Sequence, residues 1–280
     1  MAGARLTHTD WLERVPDLLA ARSAEWDLRL GDPYVAGAAG FLVRAELADG
    51  TLAVLKIVYP HREAEHEADA LQAWGGDGAV RLLARDDDGW VMLLERCVPG
   101  SHIAEILDGE RALDVMVELL PRLWKPAAAP FRHLADEAAW WVECLPVDWE
   151  QLGRPFERRL VDAAVDALES LASSQGEQVL LHQDLHGENV LAAQREPWLA
   201  IDPKPLAGER EFGLAPIVRS FELGEGRRGV FRRLDRLTAE LGLDRERTRG
   251  WALGQTVAWA LDSSYIARHA DTARWLLEAS

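Results

Sequence analysis

Residues 181–191 read Leu181-His182-Gln183-Asp184-Leu185-His186-Gly187-Glu188-Asn189-Val190-Leu191. Five side chains capable of acid–base work or coordination (His182, Asp184, His186, Glu188, Asn189) fall within eight positions, with apolar residues on both sides. The i, i+4 pair His182/His186 has the spacing of a helical zinc site, but such a site in a peptidase needs Glu directly after the first His, where Gln183 stands. Gly187, straight after the second His, argues against a continuous helix. A polar loop whose side chains only cap backbone groups is the plain alternative.

One subset argues for more than capping. His182-x-Asp184-x-x-x-x-Asn189 has the layout of the catalytic loop of kinases, and Ile201-Asp202 closes a short strand where a kinase keeps its metal-binding Asp. Phosphoryl transfer from ATP needs Mg²⁺ on the phosphates, and magnesium takes oxygen ligands from one or two protein groups, here Asn189 and Asp202. A carboxylate, Asp184, must orient the acceptor hydroxyl and take its proton. His182 then braces the loop.

Upstream, strand 51–58 is apolar on both faces except for Lys56, a costly position unless something negative meets the ammonium. On the helix expected over 61–74, Glu67 shares a stripe with Ala64, Ala68, Leu71 and Trp74, so it points inward, with Glu63 as the other possible partner. A Lys56–Glu67 pair is the one that holds the α- and β-phosphates in kinases. Tyr34 to Gly40 contains Gly37 and Gly40, whose backbone amides are candidates to lie over phosphate. Leu94-Glu95-Arg96-Cys97 is the candidate adenine-holding segment, through backbone groups of Glu95 and Cys97. The donor is ATP, with GTP an alternative.

Strands are expected over 26–30, 41–47, 51–58, 79–85 and 90–95, after a helix from Asp10 to about Arg22 with Asp10 and Glu13 as a capping pair. Trp11, Leu12, Val15, Leu18 and Leu19 share one face of that helix. Beyond a break at Cys97-Val98-Pro99-Gly100, helices are expected over 102–124, 133–145, 155–173, 215–224, 227–241, 245–262 and 268–278. These elements predict an α+β chain with a small antiparallel β-rich lobe holding one inserted helix (1–96), a hinge (97–100) and a larger α-helical lobe (101–280).

Composition narrows the partners. The net charge is −16 over 280 residues, which argues against nucleic acid and anionic membrane and fits a cationic ligand, or simply a solvated acidic surface. Cys97 and Cys144 are the only cysteines, read as free thiols. The first residues carry charge and no apolar h-region, and no run reaches the length of a membrane span. A cytoplasmic protein, monomer or weak dimer, is expected.

The stretches 180–191 and 196–209, read together, resemble the aminoglycoside phosphotransferase family, in its streptomycin 6-kinase and hydroxyurea phosphotransferase branch. The resemblance implies a two-lobed protein-kinase-like fold, ATP with Mg²⁺, and transfer of the γ-phosphoryl group to a drug hydroxyl. It makes Asp184 the base, Asn189 and Asp202 the metal ligands, and Lys56 and Glu67 the nucleotide pair, with Lys204 near phosphate or substrate. Three departures stand out: Gln183 for a usual Gly, Gly187-Glu188 for Pro-Gly, and Glu209-Arg210-Glu211-Phe212-Gly213 without the expected Asp-Pro. The first two flank the base, the third removes the usual support of the catalytic loop, and together they point to an acceptor other than streptomycin.

Acceptor candidates come from the helical lobe. Residues 136–150 combine acids with tryptophans, among them Trp141 and Glu143, and acid beside aromatic surface suits a cation. An amphipathic helix with Trp140 or Trp141 in the core explains the same pattern. Trp259, Asp262 and Glu188 are further candidates. The expected acceptor is a small cationic antibiotic, either an aminoglycoside or a basic cyclic peptide of the capreomycin or viomycin type; hydroxyurea is too small and neutral to need such acidity. A kinase of an amino sugar or amino alcohol, and a non-catalytic nucleotide-binding protein, are the alternatives.

Overall fold

Alternation along one strand organises the first part of the chain. In the computed structural model, which describes residues 7–34, 40–127, 129–261 and 263–278, β-branched and leucine side chains of strand 52–58 point alternately to two covered faces. After α1 (His8–Glu25), β1 (Leu28–Pro33), β2 (Gly40–Leu47) and β3 (Leu52–Val58) form a meander. Then come α2 (Glu67–Trp74), β4 (Leu82–Asp86) and β5 (Val91–Glu95), giving an antiparallel sheet in the order β1-β2-β3-β5-β4. Ala53, Leu55 and Ile57 pack with Trp11 and Val15 of α1, and Lys56 projects from the other face.

Three local expectations need correction here. Thr7, not the Asp10/Glu13 pair, starts α1: its hydroxyl accepts the Asp10 N–H while the Asp10 carboxylate accepts the Thr7 N–H. Leu12 is exposed rather than on the buried face. The helix expected over 61–74 divides into a 3-10 turn at Arg62–Ala64 and α2, which begins only at Glu67.

The remaining helices are α3 (Ile103–Ile106), α4 (Gly109–Leu123), α5 (Leu134–Gln151), α6 (Arg158–Ala172), α7 (Ala215–Arg219), α8 (Gly226–Leu241), α9 (Arg245–Ala260) and α10 (Ile266–Glu278). The single helix expected over 102–124 breaks because Asp108 caps α4, accepting the N–H groups of Glu110 and Arg111. The helix expected over 215–224 ends at Arg219 and gives way to a 3-10 turn, Phe221–Leu223. On α9, Gly250 and Gly254 let α6 come close: a Cβ on Gly254 would lie 2.7 Å from Leu168 Cδ2, and one on Gly250 2.8 Å from Leu171 Cδ1.

Between α6 and α7 run four short strands, β6 (Val179–Leu181), β7 (Val190–Ala192), β8 (Trp198–Ala200) and β9 (Leu206–Gly208), with β6 paired to β9 and β7 to β8. The apolar flanks of the opening motif are therefore strands, and the polar residues form the loop between them. By contacts the chain separates into two units. One runs to Gly100 and takes back Ala192–Leu199; the other comprises Ser101–Leu191 and the chain from Ala200 onward. No described helix is long and apolar enough to cross a membrane, and Cys97 and Cys144 form no disulfide.

Candidate active site

In the second unit, loop 182–189 and loop 201–205 are laced together. Ile201 N–H donates to the Asn189 carbonyl and Lys204 N–H to the His182 carbonyl, each at 3.0 Å. The His182 ring Nε2 donates to the Ile201 carbonyl at 2.9 Å. Burial pushes the His182 pKa down to about 4, so the ring is neutral and braces the loop. Asn189 donates its Nδ2 to the Asp184 carbonyl at 2.9 Å, which turns its Oδ1 away from that bond. Asp202 has a positive φ of 56°, as does Gln183 at 63°.

The Asp184 carboxylate is 5% exposed and has a cation at each oxygen. Lys204 Nζ donates to Oδ2 at 2.8 Å, and an Arg219 terminal nitrogen donates to Oδ1 at 3.3 Å. Both cations lie over the Trp259 ring, Lys204 Nζ at 4.4 Å and Arg219 Cζ at 4.2 Å from its centroid. His186 Nε2 is 3.7 Å from Asp184 Oδ1, and its Nδ1 is 2.9 Å from a Glu222 oxygen that also accepts the Gly187 N–H. Burial opposes charge on His186, but the Glu222 hydrogen bond and the Asp184 and Glu222 charges outweigh it and raise the pKa. Burial likewise opposes ionised Glu222, yet the His186 contact wins and holds that pKa at about 2.

The first unit holds the other set. Lys56 Nζ and Glu67 Oε1 are 2.6 Å apart with side chains 8% and 2% exposed, and Glu65 faces solvent. Gly40 is a neighbour: a Cβ there would sit 3.7 Å from Lys56 Cε. Gly37 lies outside the described residues. The Glu95 side chain is taken by a two-pronged contact from Arg195, at 2.8 and 2.9 Å. Cys97 is buried, and burial pushes its thiol up to about 12.

The acceptor candidates fare unevenly. Trp141 is 4% exposed and stacks on Phe212, so its indole is part of the core, and Glu143 faces solvent on α5. Glu188 is exposed, with its carbonyl 2.6 Å from His102 Nδ1. Asp262 lies outside the described residues. A cleft of about 360 Å³ in the second unit is lined by Arg219, Phe221, Glu225, Arg268, Asp271 and Trp275, among others. The sequence reading missed Arg219, whose only signal was a charge directly after the apolar run 214–218.

Over residues 26–267 the sequence matches the model of a family described as aminoglycoside/hydroxyurea antibiotic resistance kinase. The chain belongs to that family. It is 40% identical over 266 residues to streptomycin 6-kinase of Streptomyces griseus, covering 92% of this chain and 86% of that protein. Hydroxyurea phosphotransferase of Kitasatospora aureofaciens is also 40% identical, over 92% of this chain and 76% of its own. A fructosamine-3-kinase homologue from Thermobifida fusca shares the protein-kinase-like fold, with a TM-score of 0.63 at 22% identity over 93% of this chain and 99% of that one. This antibiotic resistance kinase is thus a phosphotransferase with an α+β, protein-kinase-like fold.

A metal fits the residues at hand. Among the described residues no three His, Cys, Asp or Glu side chains cluster as a metal cage. Magnesium needs none, because it takes few protein oxygens and shares the phosphates. The Asn189 Oδ1 and the Asp202 carboxylate, on two loops joined by the Ile201–Asn189 bond, are oxygen donors of that kind.

Proposed function

We propose that this kinase transfers the γ-phosphoryl group of ATP to a hydroxyl of a small cationic antibiotic, with Asp184 as base. The observation that carries this reading is the Asp184 carboxylate, buried on a loop laced to the one bearing Asp202 and fixed by Lys204 and Arg219. Asp184 orients the acceptor hydroxyl and takes its proton as the oxygen attacks the γ-phosphorus, whose bond to the bridging oxygen breaks to release ADP. Lys56, held by Glu67, serves the α- and β-phosphates of that nucleotide, and backbone groups near Gly40 and from Glu95 to Cys97 serve its phosphates and adenine. Asn189 and Asp202 would hold Mg²⁺, which would supply positive charge against that of the phosphates.

We assign the acceptor to the 360 Å³ cleft, because Arg219 belongs both to its wall and to the surroundings of the base. Phe221 and Trp275 offer flat apolar surface to a cationic ring, while the two carboxylates of the wall, Glu225 and Asp271, are each paired with an arginine, Arg268 at 3.4 Å and Arg274 at 2.5 Å. Equal similarity to a hydroxyurea phosphotransferase supports hydroxyurea as a second acceptor. The test is a panel of streptomycin, capreomycin, viomycin and hydroxyurea incubated with Mg·ATP and read by mass. Gain of one phosphate on a basic drug is the expected result. Product from hydroxyurea alone selects the second reading, and no product from any member overturns both.

A further inference from the structure

We propose that helix α9 aims the base: Gln255 and Trp259, one helical turn apart, are positioning residues for the Asp184 carboxylate. The inference rests on reading Asp184 as the base. Gln183, just before it, has φ of 63°, a conformation that a residue with a side chain keeps only when its surroundings hold it. Gln255 supplies that hold. It is fully buried, donates Nε2 to the Gln183 carbonyl at 3.0 Å, and turns Oε1 toward Arg219 Nε at 3.4 Å. One turn on, the Trp259 ring carries Lys204 at 4.4 Å and Arg219 at 4.2 Å, the two cations that take one Asp184 oxygen each. Side chains i and i+4 share a helix face, so a single face of α9 governs both the backbone before the base and the two groups on its carboxylate.

The consequence is orientation. A carboxylate with a donor on each oxygen is fixed in rotation about its Cβ–Cγ bond, and misplacement of a reacting group by about 1 Å can cost roughly a hundredfold in rate. Trp259 is only partly buried, and two cations lie over its ring.

The chain has three lysines, Lys56, Lys125 and Lys204, so the full-length protein labelled with ¹³C-lysine gives a readable spectrum. The side-chain signal that Lys204→Arg deletes should be moved upfield by the indole ring current and should return downfield in Trp259→Leu. With the acceptor found by the panel, Trp259→Leu should lower kcat about 10–100-fold while both KM values stay within about twofold. Trp259→Phe should restore most of the rate, and Gln255→Ala should resemble Trp259→Leu. A Lys204 signal identical in wild type and Trp259→Leu overturns the proposal. So does an unchanged kcat, or a raised acceptor KM alone, which is the signature of a substrate-binding tryptophan. If no panel drug is phosphorylated, the acceptor reading fails while the lysine signal still decides this one.

Discussion

Asp184, Asn189 and Lys56 share a property that makes them visible in the sequence: each is marked locally, through motif spacing or a charge in an apolar strand. Arg219 and Gln255 are near Asp184 only because the chain folds, 35 and 72 residues from their partners, and no local pattern encodes that. Burial also sets protonation at this scale. His269 is 4% exposed, its Nδ1 has no hydrogen-bond partner, and burial followed by the Arg219 charge lowers its pKa to about 4 from 6.5. A depressed folded pKa stabilises fully above 6.5, and that contribution is lost as pH falls toward 4, by up to about 3 kcal/mol. The urea midpoint of wild type should therefore fall further between pH 7 and pH 4.5 than that of His269→Leu. An equal fall in both would contradict the assignment.

Elements were legible where periodicity is strong, as in β2, β3, α6 and α8, and illegible where a cap or a tertiary contact interrupts a helical pattern. Asp108 splitting 102–124 is a miss of the first kind, and the role of Glu209 rests on tertiary contacts that no periodicity encodes. The segment 209–213 lacks the expected Asp-Pro, and its Glu209 is a buried charge, 1% exposed. Its carboxylate accepts from Arg247 at 2.6 Å, from the Trp251 indole and from Gly176 N–H at 2.9 Å, tying the start of α9 to the turn after α6. Removing one partner from such a buried cluster leaves the others unsatisfied. Glu209→Ala should lower the unfolding free energy by about 3 kcal/mol, read from urea titration, and should also reduce kcat by loosening α9. A fully stable and fully active variant would remove Glu209 from this role.

For the molecule as a whole, the residues proposed for the chemistry divide between two units, Lys56 with Glu67 in one and Asp184 with Asn189 and Asp202 in the other. The β-then-α order was readable from the change of hydrophobic period along the chain. The return of Ala192–Leu199 to the first unit was not, because Arg195 reaching Glu95 and the Gly76 and Ala79 carbonyls is a long-range event. If Lys56 serves the nucleotide, Lys56→Ala should lower kcat/KM for ATP by at least about tenfold, and wild-type kinetics would dismiss it. The most direct measurement is the mass-read transfer of phosphate to a basic antibiotic by Asp184→Asn beside the wild type, with Mg·ATP binding followed in parallel. The account predicts a loss of about 10²–10⁴-fold in turnover with nucleotide binding retained. Turnover at the wild-type rate in Asp184→Asn would contradict it.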